Sequence, residues 1–295
     1  MKPAPFEYIA PASLEEALDA MQVHGYDGKL LAGGQSLIPV MNFRLAQPAA
    51  IIDLNGVTEL SDLDADLAGG LRVGAMVRHS LLEHSETIAQ EAPLISEVMP
   101  FIAHPQIRNR GTIGGSLVHA DPAAELPVIM VTLEAQFRLQ HRGGERWIRA
   151  VDFYESLFMT ALEPEEILVE IAIPPQPANS GYAFTELARR HGDYAQVGVA
   201  AVITMDESGV CRDARLVFLN VGEIPTVAVK AAEMMVGEVP TLELISDAAE
   251  LASRQEIDPM GDIHATADYK RHLAAVLGRR TLQRAITRAE KSIQR

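Results

Sequence analysis

Cysteine is nearly absent from this chain of 295 residues, which contains only Cys211. A single thiol can form neither an internal disulfide nor an iron–sulfur cluster, which commonly takes four cysteines. The surrounding residues 208–212 (SGVCR) are typical of a turn between strands, so Cys211 is a weak candidate for a nucleophile. The nine histidines show no metal-binding spacing such as H-E-x-x-H. Redox chemistry on this chain would therefore need an organic cofactor.

Basic charge is also scarce, because 25 Lys and Arg residues stand against 40 Asp and Glu residues, giving a formal net charge of −15. Nucleic acids and anionic membranes are bound through basic surfaces, so neither is expected as a partner. Apolar runs long enough to span a bilayer are missing, and the first residues lack the apolar region of a signal peptide. The sequence therefore predicts a cytoplasmic protein without a membrane span.

Two similar glycine pairs stand out against these absences: AGGQS at residues 32–36 and TIGGS at residues 112–116. Glycine allows the backbone to turn sharply and to approach a ligand closely, and consecutive amides can converge on an anion. Two such loops suggest a pyrophosphate held from both sides, although each alone is also compatible with an ordinary turn after a strand. The spacings of a P-loop and of a strand-borne G-x-G-x-x-G are missing, which excludes the commonest nucleotide sites.

Hydrophobic periodicity predicts alternating strands and helices in the first third of the chain and a proline-rich linker near residues 174–181. A capping box at Ser13 opens the first helix, and Asp121 followed by Pro122 predicts the start of another. The predicted helices span residues 13–21, 81–98, 121–133, 227–236, 242–254 and 267–293. The predicted strands span residues 29–32, 50–54, 71–76, 137–139, 167–173, 182–187, 197–205 and 214–221.

The glycine pairs and their flanks resemble the two FAD signatures of a known family. Residues 32–39 (AGGQSLIP) and 108–125 (RNRGTIGGSLVHADPAAE) are similar to those of the medium, flavin-carrying subunit of molybdenum hydroxylases. This family includes aerobic carbon monoxide dehydrogenase and enzymes of the xanthine dehydrogenase type. Residues 166–174, 189–195 and 268–273 are similar to further segments of the family, so the resemblance extends over nearly the whole chain.

The resemblance implies an α+β fold in two domains. Residues 1–176 would form an FAD-binding domain of the PCMH type, similar to vanillyl-alcohol oxidase, with subdomains of about 1–56 and 57–176. Residues 177–295 would form a C-terminal α+β domain of the CO dehydrogenase flavoprotein type. FAD would lie between the two N-terminal subdomains, and the C-terminal domain would flank the flavin.

The resemblance also implies which residues bind FAD. Amides from Gly33 to Leu37, and around Gly115 and Ser116, would surround the pyrophosphate. The full implied set is Ala32, Gly33, Gly34, Gln35, Ser36, Leu37, Ile102, Ala103, Thr112, Gly114, Gly115, Ser116, Asp121, Glu125, Leu168 and Tyr194.

Within this set, Thr112 and Asp121 would lie along the ribityl-to-adenine side, with Glu125 nearby. Leu168 would pack on the isoalloxazine and Tyr194 would cover or flank its other face. Without the family, Leu168 is more simply a core residue, Tyr194 a surface aromatic in a turn, and the two acids helix-capping residues.

The resemblance implies electron relay as the function. A partner subunit with a molybdenum-pterin cofactor would oxidise the substrate, and a second partner would pass electrons through two [2Fe–2S] clusters to the FAD of this chain. An external acceptor would then take them, so this chain needs no catalytic base, nucleophile or metal site. The expected assembly is a dimer of heterotrimers. A stand-alone FAD-dependent oxidoreductase with its own small-molecule substrate is the alternative, and a scaffold that has lost flavin is disfavoured by the intact glycine pairs.

Overall fold

The computed structural model describes residues 1–65 and 70–294, and these residues form three sheets and a small hairpin surrounded by helices. The strands are β1 (Glu7–Ile9), β2 (Gly28–Leu31), β3 (Ala50–Asp53), β4 (Leu63–Ala65), β5 (Leu71–Gly74), β6 (Gln136–His141), β7 (Gly144–Arg149), β8 (Tyr154–Ser156), β9 (Met159–Thr160), β10 (Ile167–Ile173), β11 (Ser180–Ala188), β12 (Ala195–Met205), β13 (Cys211–Leu219) and β14 (Thr226–Val227). The α-helices are α1 (Leu14–His24), α2 (Leu37–Asn42), α3 (His79–His84), α4 (Glu86–Glu91), α5 (Pro93–Val98), α6 (Pro105–Arg108), α7 (Ile113–His119), α8 (Glu125–Thr132), α9 (Ala150–Phe153), α10 (Val229–Met235), α11 (Leu242–Gln255) and α12 (Ala267–Ile293).

The first sheet is parallel, with strand order β1-β3-β2. Its central strand β3 begins with three buried apolar residues, Ala50 to Ile52, as expected for a strand covered on both faces. Helix α1 covers one face with Ala17, Leu18 and Met21, and the Ser13 side chain caps its N-terminus as the sequence predicts. The carboxyl ends of β2 and β3 therefore open at the same edge of the sheet.

The second sheet is antiparallel, with strand order β4-β5-β10-β6-β7. Strand β10 lies at its centre because its residues are apolar nearly throughout, with only Glu170 and Ala172 less buried. Helices α3, α4, α5, α7 and α8 pack beside this sheet in one continuous core that includes Leu82, Ile95 and Leu126. Strands β8 and β9 form a separate hairpin.

The third sheet is antiparallel, with strand order β11-β12-β13-β14, and one face of it is covered by α10, α11 and α12. The opposite face, including Phe184 and Val217, belongs to the same core as the second sheet. Glu97 on α5 reinforces this contact, because its carboxylate accepts hydrogen bonds from the Phe184 amide and from the Arg284 and Arg288 guanidinium groups. The strand-free stretch between β10 and β11 connects the two layers.

Several sequence-based element predictions are corrected by the structure. The helix predicted over residues 81–98 is three short helices, because the chain leaves helical geometry at Ser85 and again at Ala92, before Pro93. The helix predicted from Asp121 begins at Glu125 instead, since Asp121 accepts a hydrogen bond from Ala123 and stabilises a turn. Cys211 starts strand β13 rather than lying in a turn, and burial raises the pKa of its thiol to about 11. The last helix, Ala267–Ile293, agrees with the prediction.

Candidate functional site

A cavity of about 410 Å³ opens where the parallel strands β2 and β3 end. Its lining is formed by residues 31–35, Ile38, Pro39, Asp53, Asn55 and Arg110. Loops at the carboxyl ends of parallel strands are a common place for ligands, because successive strands deliver several loops to one edge. The first glycine motif forms one wall, and Arg110, two residues before the second motif, forms another.

The first glycine motif presents a row of free backbone donors to this cavity. Among the residues that the structure describes, the amides of Gly33 to Leu37 donate to no acceptor. Gly34 has a φ of +72°, a left-handed conformation that favours glycine, and the Gln35 side chain braces the turn by donating to the Gly33 carbonyl. Five successive free amides in such a turn form a concave donor surface suited to an anion.

The two glycine motifs are in direct contact. A Cβ on Gly33 would lie 2.4 Å from the Arg110 carbonyl oxygen and 2.8 Å from the Cα of Gly111. A Cβ on Gly115 would lie 3.5 Å from the Cβ of Ala32, and a Cβ on Gly114 only 2.6 Å from that of Ala75. The glycines are therefore needed for backbone packing between the motifs, in addition to any contact with a ligand.

The second motif is the first turn of helix α7 and not a loop. Thr112 is its N-cap, and the hydroxyl of Thr112 accepts from the Gly115 amide at 3.1 Å. The Ser116 amide donates to the Thr112 carbonyl at 3.1 Å. The amides that the resemblance places around the pyrophosphate are therefore already used within the helix, and the second motif contributes close backbone approach more than free donors.

The side chains of His79 and Arg78 hydrogen-bond to the backbone of the segment that carries the second motif. The His79 Nε2 atom lies 2.9 Å from the Thr112 carbonyl oxygen, which can only accept, so this nitrogen carries the proton. The pKa of His79 is lowered to about 4, chiefly by burial and to a smaller extent by the charges of Arg108 and Arg78. The Arg78 guanidinium donates to the Arg110 carbonyl and to the Asn55 side chain, tying the cavity wall together.

His79 makes stability depend on pH in a defined direction. The neutral ring persists in the folded chain down to about pH 4, whereas the unfolded chain binds a proton near the ordinary pKa of 6.5. Protons therefore favour unfolding in this window, and stability falls as the pH falls. We expect a loss of about 2 kcal/mol from His79 between pH 7 and pH 5. Urea unfolding of wild type and His79→Gln at both pH values checks this, since other titrating groups are common to both. Equal losses in the two proteins would contradict the assignment.

A buried ion pair holds the segment that carries Ile102 and Ala103. Arg108 and Glu83 form two hydrogen bonds of 2.7 and 2.9 Å, with only 7% and 16% of their side chains exposed. The same guanidinium donates to the carbonyls of Ile102 and Ala103 at 3.0 and 3.2 Å. Ala103 has a left-handed φ of +48°, so this anchor fixes an unfavourable backbone conformation.

Tyr194 lies on a neighbouring loop that packs against this segment. A Cβ on Gly192 would lie 2.6 Å from the Ala103 carbonyl oxygen, which shows how closely the two loops approach. Tyr194 itself is 70% exposed. The pKa of its hydroxyl is raised by desolvation first and then by the charges of Asp121 and Glu125, so those carboxylates lie on the same side of the molecule.

Glu125 and Glu186 form an acidic pair close to Tyr194. Burial raises the pKa of Glu125 to about 7, with a smaller contribution from the charge of Asp121. Burial also raises the pKa of Glu186 to about 8, with a contribution from Glu125. The Oε2 atom of Glu186 is buried and has no hydrogen-bond partner in the described residues. Near neutral pH at least one carboxyl of the pair retains its proton and offers a donor.

Leu168 is one of the implied site residues that the structure buries. It lies on β10, is 3% exposed, and belongs to the core that includes Ile113 and Leu117 of α7. Leu168 therefore shares a core with the helix that carries the second glycine motif. Ile102 is also nearly buried, at 8% exposure.

Several residues of this region were not found by sequence reasoning, namely Asp53, Asn55, His79, Arg110 and Glu186. A signal existed for three of them. Asp53 ends a buried strand, Asn55 follows it, and Arg110 lies two residues before the second motif. His79 and Glu186 come from distant parts of the chain and gave no local signal.

FAD fits this arrangement. The free amides of Gly33 to Leu37 suit its pyrophosphate, and the orphaned carboxyl oxygen of Glu186 marks a polar group that lacks a partner. Within the described part of the chain, no cluster of three or more His, Cys, Asp or Glu side chains could hold a metal ion. None of the helices in residues 1–65 and 70–294 has the length and apolar character needed to cross a bilayer.

Comparisons with known proteins agree with this chemistry. A family model described as the FAD binding domain in molybdopterin dehydrogenase matches residues 4–176, and one described as the CO dehydrogenase flavoprotein C-terminal domain matches residues 182–285. The 6-hydroxypseudooxynicotine dehydrogenase complex subunit alpha of Paenarthrobacter nicotinovorans is 41% identical, covering 98% of this chain and 97% of that protein.

Solved structures show the same relationship. A carbon monoxide dehydrogenase chain from Hydrogenophaga pseudoflava superposes with a TM-score of 0.94 at 37% identity, covering 98% of this chain and 99% of that one. A chain of quinoline 2-oxidoreductase from Pseudomonas putida superposes with a TM-score of 0.92 at 38% identity, covering 99% of this chain and 100% of that one. The expected α+β fold is confirmed, and the chain belongs to the family of flavoproteins that join the FAD-binding domain of molybdopterin dehydrogenases to the CO dehydrogenase flavoprotein C-terminal domain.

Proposed function

We propose that this chain is the FAD-carrying electron-transfer subunit of a molybdenum hydroxylase. It takes electrons from [2Fe–2S] clusters on a partner subunit and passes them to an external acceptor. The observation that carries this conclusion is the contact between the two glycine motifs beside a cavity lined by free backbone amides. Relatives that match along their whole length are named as medium chains or subunits of dehydrogenase complexes, which favours this function over a stand-alone enzyme.

The residues divide into those that hold the dinucleotide and those that face the flavin. Residues 33–37 hold the pyrophosphate through their backbone amides, while Arg110 supplies positive charge at the same cavity. Residues 112–116 allow the close backbone approach that completes this wall. When bound, the isoalloxazine of FAD supplies the electron-accepting chemistry, and the chain orients and shields it.

The residues proposed to face the flavin are Ile102, Ala103, Leu168 and Tyr194, while Asp121 and Glu125 lie on the ribityl-to-adenine side. Tyr194 is exposed and lies beside two carboxylates, so its ring is free to cover a bound flavin. Glu125, together with Glu186, holds a proton near neutral pH and can donate a hydrogen bond to a carbonyl or ring nitrogen. Ala103 has a left-handed backbone conformation and lies where its segment packs against the loop that carries Tyr194.

The domain division follows from the same elements. We place the FAD-binding domain at residues 1–176, with subdomains of about 1–56 and 57–176, and the C-terminal domain at residues 177–295. This is supported by the separate first and second sheets, and by the strand-free stretch between β10, ending at Ile173, and β11, starting at Ser180. The family matches to residues 4–176 and 182–285 leave the same gap.

The remaining redox centres belong to partners in this proposal. A large subunit carries the molybdenum-pterin cofactor, a small subunit carries two [2Fe–2S] clusters, and the assembly is a cytoplasmic dimer of heterotrimers. Support comes from the single buried cysteine of this chain and from the lack of a metal cluster in its described residues. The negative net charge favours neither nucleic acid nor membrane partners.

Purification of the chain after expression in flavin-replete cells tests the proposal. We expect visible flavin absorbance, release of the flavin on denaturation, and its identification as FAD rather than FMN by chromatography. Reconstitution of flavin-free chain should restore the spectrum with FAD and not with riboflavin, because the pyrophosphate is the group that the amides of residues 33–37 bind. A chain that takes up no FAD, or takes up riboflavin equally well, would overturn the proposal.

A further inference from the structure

We infer that Lys270 is a positioning residue of the flavin site, acting through Asn220 on the two segments that carry Tyr194 and Asp121. The residue lies in the segment DYKRHL at residues 268–273, whose resemblance to the family is clear but whose role the FAD site does not explain. The inference rests on the proposed function, because it assigns to Lys270 the placement of two segments that are proposed to contact FAD.

Lys270 is buried in a way that requires a reason. It lies in the first turn of α12, only 3% of its surface is exposed, and its ammonium group lies 2.9 Å from a carboxylate oxygen of Asp262. Lysine is almost never this buried unless it is paired, because removing its charge from water is costly. A second contact joins its Nζ atom to Asn220 Oδ1 at 3.4 Å.

The ammonium group fixes the orientation of the Asn220 amide. A lysine can only donate, so the amide oxygen must face Lys270 and the amide nitrogen must face away. That nitrogen donates to the carbonyls of Ala195 and Gln196 at 2.7 and 3.2 Å. If the side-chain amide were flipped, its NH₂ group would face the Lys270 ammonium group, and its oxygen would face the carbonyl oxygens of Ala195 and Gln196. Lys270 therefore selects the rotamer in which Asn220 binds the residues after Tyr194.

Asn220 also binds the other segment through its backbone. Its amide donates to the Pro122 carbonyl at 3.0 Å, inside the turn between Asp121 and Glu125. The residue has a left-handed φ of +60°, which asparagine tolerates better than most residues, and it directly follows β13. One residue thus joins the Asp121–Glu125 turn to the start of β12, and Lys270 sets its geometry from outside the site.

The neighbouring Arg271 provides a matched control. It lies in the same turn of α12 and donates to the Ile257 and Ser253 carbonyls at 2.9 and 3.3 Å. It has no hydrogen bond to Asn220 among the described residues. Loss of Arg271 should loosen the loop before α12 without changing the orientation of the Asn220 side-chain amide. The Arg271 variant therefore shows the effect of removing a buried contact of this segment that does not involve Asn220.

The experiment compares Lys270→Met, Lys270→Arg and Arg271→Met in the full-length chain. Hydrogen exchange of the peptide covering residues 190–197 is measured without FAD, and the FAD dissociation constant and visible circular dichroism of the bound flavin are measured separately. We expect Lys270→Met to speed exchange of this peptide, to change the flavin dichroism, and to raise the dissociation constant roughly tenfold. Arg271→Met should leave the exchange rate, the flavin dichroism and the dissociation constant near their wild-type values. Lys270→Arg should change these three quantities less than Lys270→Met does, because arginine retains a hydrogen-bond donor at this position.

Asn220→Asp supplies a second variant in case Lys270→Met does not fold. It keeps the shape and the contact with Lys270 but replaces the amide donor by an acceptor, so exchange at residues 190–197 should again rise. Unchanged exchange in a folded Lys270→Met or Asn220→Asp chain would overturn the inference, as would equal effects from Arg271→Met. Because exchange is measured without FAD, this result is separate from failure of the proposed function, which would appear as no FAD binding by wild type.

Discussion

Gly34→Val is expected to remove FAD from the chain while leaving its third sheet folded. Gly34 has a φ of +72°, and an added Cβ would lie 3.1 Å from both the Ile38 Cγ1 and Leu31 Cδ1 atoms. A β-branched residue in this conformation costs about 1–3 kcal/mol, so the turn would relax and its amides would no longer converge. Retained FAD should fall to roughly a tenth of wild type or less, measured as flavin per purified chain.

Gly237→Val is the matched control for backbone strain. Gly237 has a similar φ of +88°, follows α10, and has no atom within 4 Å of its would-be Cβ. This variant should lose comparable local stability in thermal unfolding but keep its flavin. If Gly34→Val retained as much FAD as Gly237→Val, the first glycine motif would not be the pyrophosphate site.

Arg108→Met is expected to cause the largest loss of stability among single substitutions near the site. It leaves the carboxylate of Glu83, whose side chain is 16% exposed, without its two hydrogen bonds. It also releases the carbonyls of Ile102 and the left-handed Ala103. Breaking a buried pair from one side leaves an uncompensated charge, so we expect a loss of about 3 kcal/mol in urea unfolding.

The double variant Arg108→Met with Glu83→Leu separates the ion pair from the carbonyl contacts. Removing both charges should recover part of the lost stability, because no unpaired carboxylate remains. FAD affinity should be weaker than that of wild type in both the single and the double variant, since the segment of Ile102 and Ala103 is unanchored in each. A single Arg108→Met variant within about 1 kcal/mol of wild type would contradict this account of the pair.

The sequence predicted the elements whose signals are local. Both ends of helix α12 match the predicted span of residues 267–293, because the Thr266 cap and a continuous helical periodicity define this helix. The buried strands β3 and β10 were found from their apolar runs. The family and its cofactor were expected from the two glycine motifs with their flanks, and the comparisons confirm both.

Other features could not be predicted because their cause is tertiary. Asp121 and Pro122 have the pattern of a helix start. The backbone N–H of Asn220 donates to the Pro122 carbonyl, however, and the chain forms a turn there. Glu186 belongs to a strand whose pattern gives no sign of its closeness to Glu125. The role of Lys270 likewise depends on a contact across 50 residues of sequence.

We propose that this chain carries FAD for substrate chemistry that other subunits perform. Mass and cofactor analysis of the native complex, isolated through a tag on this chain, is the decisive experiment. We expect FAD together with molybdenum, iron and acid-labile sulfide, and a larger and a smaller partner chain in equal amounts. Isolation of the chain alone, with FAD but no molybdenum or iron, and with turnover of a small substrate of its own, would contradict it and establish a stand-alone oxidoreductase.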